Sequence, residues 1–198
     1  MIKDLSPVLE AVLLAADQPL SVERLTQVFD EHDGVDSKRI RQTLRDLQAS
    51  YAGRGYQLLE VASGFRFQVR QDYALWVSRL WQEKPQKYSR ALIETLSIIA
   101  YQQPITRGEI EAIRGVAVST SIIHTMIERS WIRSVGHKEV PGRPELFATT
   151  KAFLDHFNLR QLSELPALDD LEAWDEATMA PAKLKQPQQQ EIEVVTDR

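Results

Sequence analysis

The chain has 198 residues, a formal net charge of −4, 43% hydrophobic residues, 26% charged residues and no cysteine. This composition is typical of a globular protein with one large domain or two domains of roughly 80 residues each, and the lack of cysteine excludes disulfides, thiolate metal sites and thiol catalysis. No apolar run approaches the roughly 20 residues that span a membrane, and the first residues lack a signal-peptide pattern, so we expect a cytoplasmic protein.

The first part of the chain predicts three helices in succession. Apolar residues recur at helical spacing from Leu5 until about Asp17, where the first helix is expected to end. Pro19 interrupts the chain, and Ser21 is a suitable N-cap for a short second helix. A third helix is predicted over residues 37–52.

A β-hairpin and a closing helix are predicted to follow. Phe65, Phe67 and Val69 alternate with polar residues, which is the period of a half-buried strand, and residues 59–64 supply its partner strand and turn. A helix over residues 73–80 is expected to pack the unit shut. Three helices followed by a hairpin are typical of a winged helix.

The same unit is then repeated. Gln18-Pro19-Leu20-Ser21 recurs as Gln103-Pro104-Ile105-Thr106, at an offset of 85 residues within a longer match. The second copy predicts helices over 90–102, 106–113 and 118–130, with a capping box at Thr106 and Glu109. It also predicts strands near 131–137 and 145–150, on either side of a turn at Pro141–Pro144.

The predicted fold class is therefore α+β and mostly α, with two tandem winged-helix domains. The predicted divisions are an N-terminal domain over 1–83, a linker over 84–88, a C-terminal domain over 89–168 and a tail over 169–198. The tail has eight acidic and three basic residues and is rich in Gln and Pro, so we expect it to be disordered.

Nothing in the sequence indicates catalysis. The histidines have no second metal-type ligand at useful helical spacing, and paired carboxylates lie in charged contexts that are typical of solvated faces; the histidines are His32, His124, His137 and His156. No phosphate-binding, dinucleotide-binding, metalloprotease or hydrolase motif occurs. We expect no enzyme activity, no cofactor, no metal and no small-molecule substrate.

The sequence suggests direct DNA contact at one predicted helix only. The predicted helix 37–52 carries four basic residues that suit phosphate contacts or, equally well, a solvated face; they are Lys38, Arg39, Arg41 and Arg45. The corresponding helix of the second copy is apolar and nearly uncharged. Outside the tail the chain has 21 basic and 20 acidic residues, whereas a dedicated duplex binder usually has a clear basic excess. We expect weak or indirect DNA binding, although a DNA-binding regulator or replication initiator remains the alternative.

Two helices are apolar on more than one side. The first helix carries Leu14 outside its main apolar stripe, and helix 90–102 carries Ile98 outside its own. Such a helix is buried on more than one side, either against the closing helix of its own unit or against another molecule. The sequence therefore predicts a dimer contact through residues 1–80, with Leu5, Leu9 and Leu14 in the interface.

Several stretches closely resemble the ScpB family of segregation and condensation proteins. The strongest are residues 94–107, 113–116 and 136–144, which occur in the family's order. Residues 9–21 are similar to the opening of that family. The resemblance extends over about residues 5–166.

The resemblance implies a non-catalytic subunit that binds the kleisin ScpA, which in turn bridges the head domains of an SMC ATPase. It also implies a homodimer formed by the N-terminal unit and a role in chromosome condensation and segregation near the nucleoid. Polar and apolar side chains of the second unit are then expected to contact the kleisin, with a fold-stabilising role as the alternative for each charged group; they are Glu94, Ile98, Tyr101, Gln103, Arg107, Arg114 and Arg143.

Overall fold

The computed structural model describes residues 2–80 and 88–166 of the chain. Residues 2–80 and 88–164 belong to one compact unit. The predicted linker lies outside the described residues except for Tyr88, and the predicted disordered tail lies outside them entirely. The described residues form a mixed helical and β structure, as predicted.

The first half begins with three helices, α1 (Ser6–Ala15), α2 (Val22–Thr26) and α3 (Ser37–Ser50). The hydroxyl of Ser21 accepts a hydrogen bond from the Arg24 N–H, so the predicted cap of α2 is confirmed. The apolar stripes of the three helices meet in one core with Leu58 and Phe65 of the hairpin.

A hairpin of β1 (Tyr56–Val61) and β2 (Gly64–Val69) follows. Its strands are antiparallel, with Leu58 opposite Phe67, and Leu20 pairs with Phe65 across the other edge of β2. Three aromatic rings pack in tilted and edge-to-face contacts near the open end of the hairpin, with centroids 5.0–5.7 Å apart; they belong to Tyr51, Tyr56 and Phe67. The hairpin therefore lies on the helical core as the alternating pattern predicted.

Helix α4 (Ala74–Leu80) does not pack the unit shut, which corrects the prediction for residues 73–80. None of its residues is buried, and its largest apolar side chains are exposed to solvent, Trp76 at 57% and Leu80 at 74%. Its apolar side chains therefore face away from the core of the first half.

The second half begins with α5 (Arg90–Gln102), β3 (Ile105–Thr106), α6 (Arg107–Arg114) and α7 (Thr120–Glu128). The predicted capping box of α6 is confirmed, because Thr106 and Glu109 each accept a hydrogen bond from the other's backbone N–H. The half ends with β4 (Ile132–His137), β5 (Glu145–Thr149) and α8 (Lys151–His156), and the strands form an antiparallel sheet in the order β3-β5-β4.

Candidate protein-interaction surface

An apolar groove of about 300 Å³ opens on the second half, between the start of α6, the start of α7 and the beginning of β5. Ile123 and Phe147 form its floor, and both are buried. Three polar or charged residues, Arg107, Thr120 and Glu145, form its edge together with Pro144. A concave apolar floor with a polar edge is the usual shape of a site for a peptide segment.

Arg107 holds one wall of this groove in place. Its guanidinium donates to Glu111 Oε1 at 3.0 Å, to the hydroxyl of Thr120 at 3.2 Å and to the carbonyl of Val118. Glu111 also accepts from the Val118 N–H at 2.9 Å, and this bond, with the Arg107 contact, lowers the pKa of the Glu111 carboxyl. The loop between α6 and α7 is therefore clamped by one ion pair, and Arg107 has little freedom to turn toward a partner.

Arg114 is paired with an acidic side chain and is largely shielded from solvent. It donates to Glu94 Oε2 at 3.0 Å, and its side chain is only 9% exposed. Glu94 also accepts from Arg90 at 2.9 Å. The hydrogen bond from Arg90, and next the one from Arg114, lower the pKa of the Glu94 carboxyl. The fold supplies a carboxylate to each of three arginines, Arg107, Arg114 and Arg143.

Arg143 differs from the other two because its side chain is 72% exposed, with Glu139 at 3.4 Å. It lies in the turn between β4 and β5 with a φ of +37°. Beside it, Lys138 pairs with Glu109, and that ammonium together with the backbone and hydroxyl groups of Thr106 lowers the pKa of Glu109 to about 2. The turn is thus tied to α6, and Arg143 projects from it.

The three remaining candidates lie along the end of α5. Ile98 and Tyr101 are both half-buried, and burial raises the pKa of the Tyr101 phenol. The side-chain oxygen of Gln103 accepts from the N–H of Thr149 at 2.7 Å and from its hydroxyl at 2.9 Å. Gln103 therefore joins α5 to β5 and is committed to the fold.

Sequence reasoning identified Arg107 at the edge of the groove but missed the two residues of its floor. Ile123 and Phe147 were assigned to a helix and a strand, but only the tertiary fold brings these two elements together with Thr120 at the lip. The predicted turn at Pro141–Pro144 does contribute Pro144 to the edge.

The predicted dimer contacts of the first half separate into two groups. Leu5 and Leu9 are buried in the core of their own unit, with 3% and 0% exposure, so they do not face a partner, which corrects that part of the prediction. Leu14 is 58% exposed and lines a shallow pocket of about 230 Å³ with Pro19 and Arg66. Leu14 and the apolar side chains of α4 are the exposed apolar groups that a partner would cover.

The basic residues of α3 lie together along an open groove of about 630 Å³. Arg39 is engaged with the fold, because it donates to the carbonyls of Ile2 and Gly34, and Arg41 lies 3.7 Å from Glu23. Lys38 and Arg45 are exposed and make no ion pair within the part of the chain that the structure describes. The candidate phosphate contacts thus reduce to two unengaged cations and one weakly paired arginine.

Within residues 2–80 and 88–166, no cluster of three or more metal-type side chains occurs, and no helix is long and apolar enough to cross a membrane.

Comparisons with known proteins give one consistent result. Residues 7–168 match the family of segregation and condensation complex subunit ScpB. The segregation and condensation protein B homolog of Coxiella burnetii is 54% identical over 164 residues, which cover 83% of this chain and 78% of that protein. The segregation and condensation protein B of Syntrophotalea carbinolica is 41% identical over 169 residues, with 84% and 83% covered. The crystal structure of ScpB from Mycobacterium tuberculosis is 32% identical and covers 78% of this chain and 95% of its own, with a TM-score of 0.36.

Proposed function

The chain belongs to the ScpB family of segregation and condensation complex subunits, and from this membership we propose that it is a non-catalytic subunit of a bacterial SMC–kleisin complex that binds the kleisin ScpA. Each half is interpreted as a winged helix, and the second half as the one that holds the kleisin. Association with the nucleoid would follow through the SMC ATPase.

The observation that supports this proposal is the groove over Ile123 and Phe147. It is apolar at its floor and mostly polar at its edge, and its lining includes Arg107 and Pro144, which lie in two of the stretches that resemble the family. A kleisin segment that places an apolar side chain in this groove would cover Ile123 and Phe147, and Arg143 at the exposed turn would meet a carboxylate of the segment.

The kleisin-binding residues divide by their setting. Ile98, Tyr101 and Arg143 lie at least partly on the surface and are proposed as contacts. Glu94, Arg107, Arg114 and Gln103 are proposed to support those contacts through the fold, because their polar groups are already bonded inside the second half.

A homodimer formed by the first half is part of the same proposal. Helix α4 supports it, because Trp76, Val77 and Leu80 are all exposed and adjacent in sequence. An exposed apolar helix of this kind is typical of a surface that another molecule covers. Leu14 is proposed as a second contact of the dimer.

The experiment that tests kleisin binding fills the groove. Thr120 lies at its lip, so Thr120→Trp should block entry and weaken binding of a ScpA fragment at least ten-fold in titration calorimetry, about 1.4 kcal/mol. Ser121→Trp is the matched control, because Ser121 is exposed on the next position of α7 and does not line the groove. Equal affinity of both variants for the fragment would exclude this groove as the binding site.

The DNA-binding regulator is the competing function. It requires basic recognition helices in both halves, and α7 carries no Lys or Arg between Thr120 and Glu128. The family relationship favours the SMC–kleisin subunit, with direct DNA contact limited to α3.

A further inference from the structure

The turn between β1 and β2 in the first half is hydrogen-bonded to the end of α8 in the second half. The Ala62 N–H donates to the carbonyl of Leu159 at 3.0 Å, and the Ser63 N–H donates to Asp155 Oδ1 at 2.9 Å. Arg66 Nη2 donates at 2.8 Å to two oxygens of the second half, the carbonyl of Asp155 and the side-chain amide of Asn158, and at 3.1 Å to the side-chain amide oxygen of Gln68 in its own half. The four bonds between the halves join residues about 90 positions apart in the chain.

The turn is rigid on the first-half side of this contact. Gly64 has a φ of +135°, and a Cβ atom added there would lie 2.2 Å from the carbonyl oxygen of Leu20. That close approach exists because Leu20 and Phe65 exchange two backbone hydrogen bonds, at 2.9 and 3.0 Å. The N–H groups of Ala62 and Ser63 are therefore presented by a turn that is fixed to its own half.

The end of α8 is equally well defined on the other side. Asn158 has a φ of +59°, and the Leu159 N–H donates to the carbonyl of Leu154 at 2.8 Å, so the chain leaves the helix in a fixed direction. The guanidinium of Arg66 lies at this C-terminal end, where helix carbonyls carry partial negative charge and favour a cation. Both sides of the contact are thus held by bonds within their own half.

Within the described residues, no helix or strand of the first half packs broadly on one of the second half. The Nε of Arg66 is buried without a hydrogen-bond partner, so the Nη2 contacts hold this side chain in place. The two halves belong to one compact unit, and without a large apolar interface between them the directional polar contacts decide their orientation.

We infer that six residues form a polar latch that sets the orientation of the two halves and that opens without unfolding either of them. They are Ala62, Ser63, Arg66, Asp155, Asn158 and Leu159. Arg66, Asp155 and Ser63 are half-buried and belong to neither core, so breaking their bonds leaves the two cores intact. Arg66 also lines the pocket beside Leu14. A second protein that binds this pocket would therefore meet a different surface in the closed and open arrangements.

Disulfide trapping tests the latch in the full-length protein. The chain has no cysteine, so an Ala62→Cys, Leu159→Cys variant contains one possible pair, and its backbone atoms are already in hydrogen-bond contact. We expect a rapid intramolecular disulfide under mild oxidation. A Gln57→Cys, Leu159→Cys variant should stay reduced, because Gln57 is five residues, about 16 Å, further along β1, beyond the reach of a disulfide.

Latch variants are then compared in the Ala62→Cys, Leu159→Cys background. Arg66→Ala and Asp155→Ala should each slow disulfide formation about ten-fold or more, the factor expected when hydrogen bonds to a charged group are lost. Arg45→Ala, an exposed arginine on α3, should leave the rate unchanged. Thermal unfolding should give the same midpoint for all variants, which separates an opened latch from a damaged fold.

Three results would overturn the inference: a parent pair that stays reduced, disulfides that join two chains, or rates that neither latch variant changes. If Arg66→Ala lowers the unfolding midpoint, the rate of disulfide formation in Asp155→Ala tests the inference instead, because Asp155 lies in the other half.

Discussion

Arg114 and Arg143 show how one residue type takes different roles in this fold. Arg114 is 9% exposed and bonded to Glu94, whereas Arg143 is 72% exposed on a turn with a longer contact to Glu139. Removing a largely buried ionic partner leaves polar groups without compensation, but an exposed ion pair contributes little to stability. The two arginines should therefore separate fold stability from binding.

Arg114→Ala should lower the free energy of unfolding by about 1–3 kcal/mol, because a charged hydrogen bond is lost in a poorly solvated place while Glu94 keeps only Arg90. Arg143→Ala should leave that free energy within about 0.5 kcal/mol and weaken the binding of a ScpA fragment instead. Urea unfolding and titration calorimetry on the same samples measure both quantities. If Arg114→Ala loses affinity for the ScpA fragment while its free energy of unfolding is unchanged, Arg114 contacts the kleisin directly.

The partners of Arg114 and Gln103 were not predictable from local sequence. Arg114 meets Glu94 from 20 positions away, and Gln103 meets Thr149 from 46 positions away. Only groups within one helical turn, such as Thr106 and Glu109, followed from spacing alone. The sequence therefore identified polar residues of interest, but the tertiary fold decided which of them support the structure and which reach solvent.

The elements followed from the sequence more closely than the contacts did. Helices α1, α3 and α5 lie within two residues of their predicted bounds, because apolar periodicity and capping residues are local signals. Helix α4 forms where predicted, but its apolar side chains face solvent. Periodicity shows that a helix has an apolar face and says nothing about which surface covers it.

Helix α3 carries the prediction that concerns DNA. Duplex binding should be weak and without sequence preference, and it should fall steeply with salt, because Lys38 and Arg45 are the unengaged cations of the α3 groove. Lys38→Glu combined with Arg45→Glu should lower the slope of log affinity against log salt by about 2, whereas Lys151→Glu in the second half should change it little. Fluorescence anisotropy over a salt series measures this slope. Nanomolar, sequence-selective binding at physiological salt would favour the regulator instead.

At the scale of the whole molecule, the exposed apolar groups of the first half are the features that favour association into a dimer. The two surfaces that dimerisation would cover are Leu14 on α1 and Trp76 with Leu80 on α4. Their side chains contribute little to the core of one chain, so their substitution tests association separately from folding. Leu5 and Leu9 do not allow this test, because they are buried in the core.

Light scattering of the full-length protein at tens of micromolar should give twice the mass of one chain. Burying a large apolar side chain stabilises an interface by about 1.5–3 kcal/mol. Trp76→Glu or Leu14→Glu should therefore raise the dissociation constant of the dimer at least ten-fold for each substituted side chain, and the protein should become monomeric. The unfolding midpoint of the monomer should stay close to that of the parent at low protein concentration, since both side chains are more than half exposed. Val28→Glu is the matched control, because Val28 is 50% exposed on the same half but outside both surfaces. A parent that is monomeric at this concentration, or a dimer that neither substitution weakens, would exclude dimerisation through these surfaces and leave α4 to a different partner.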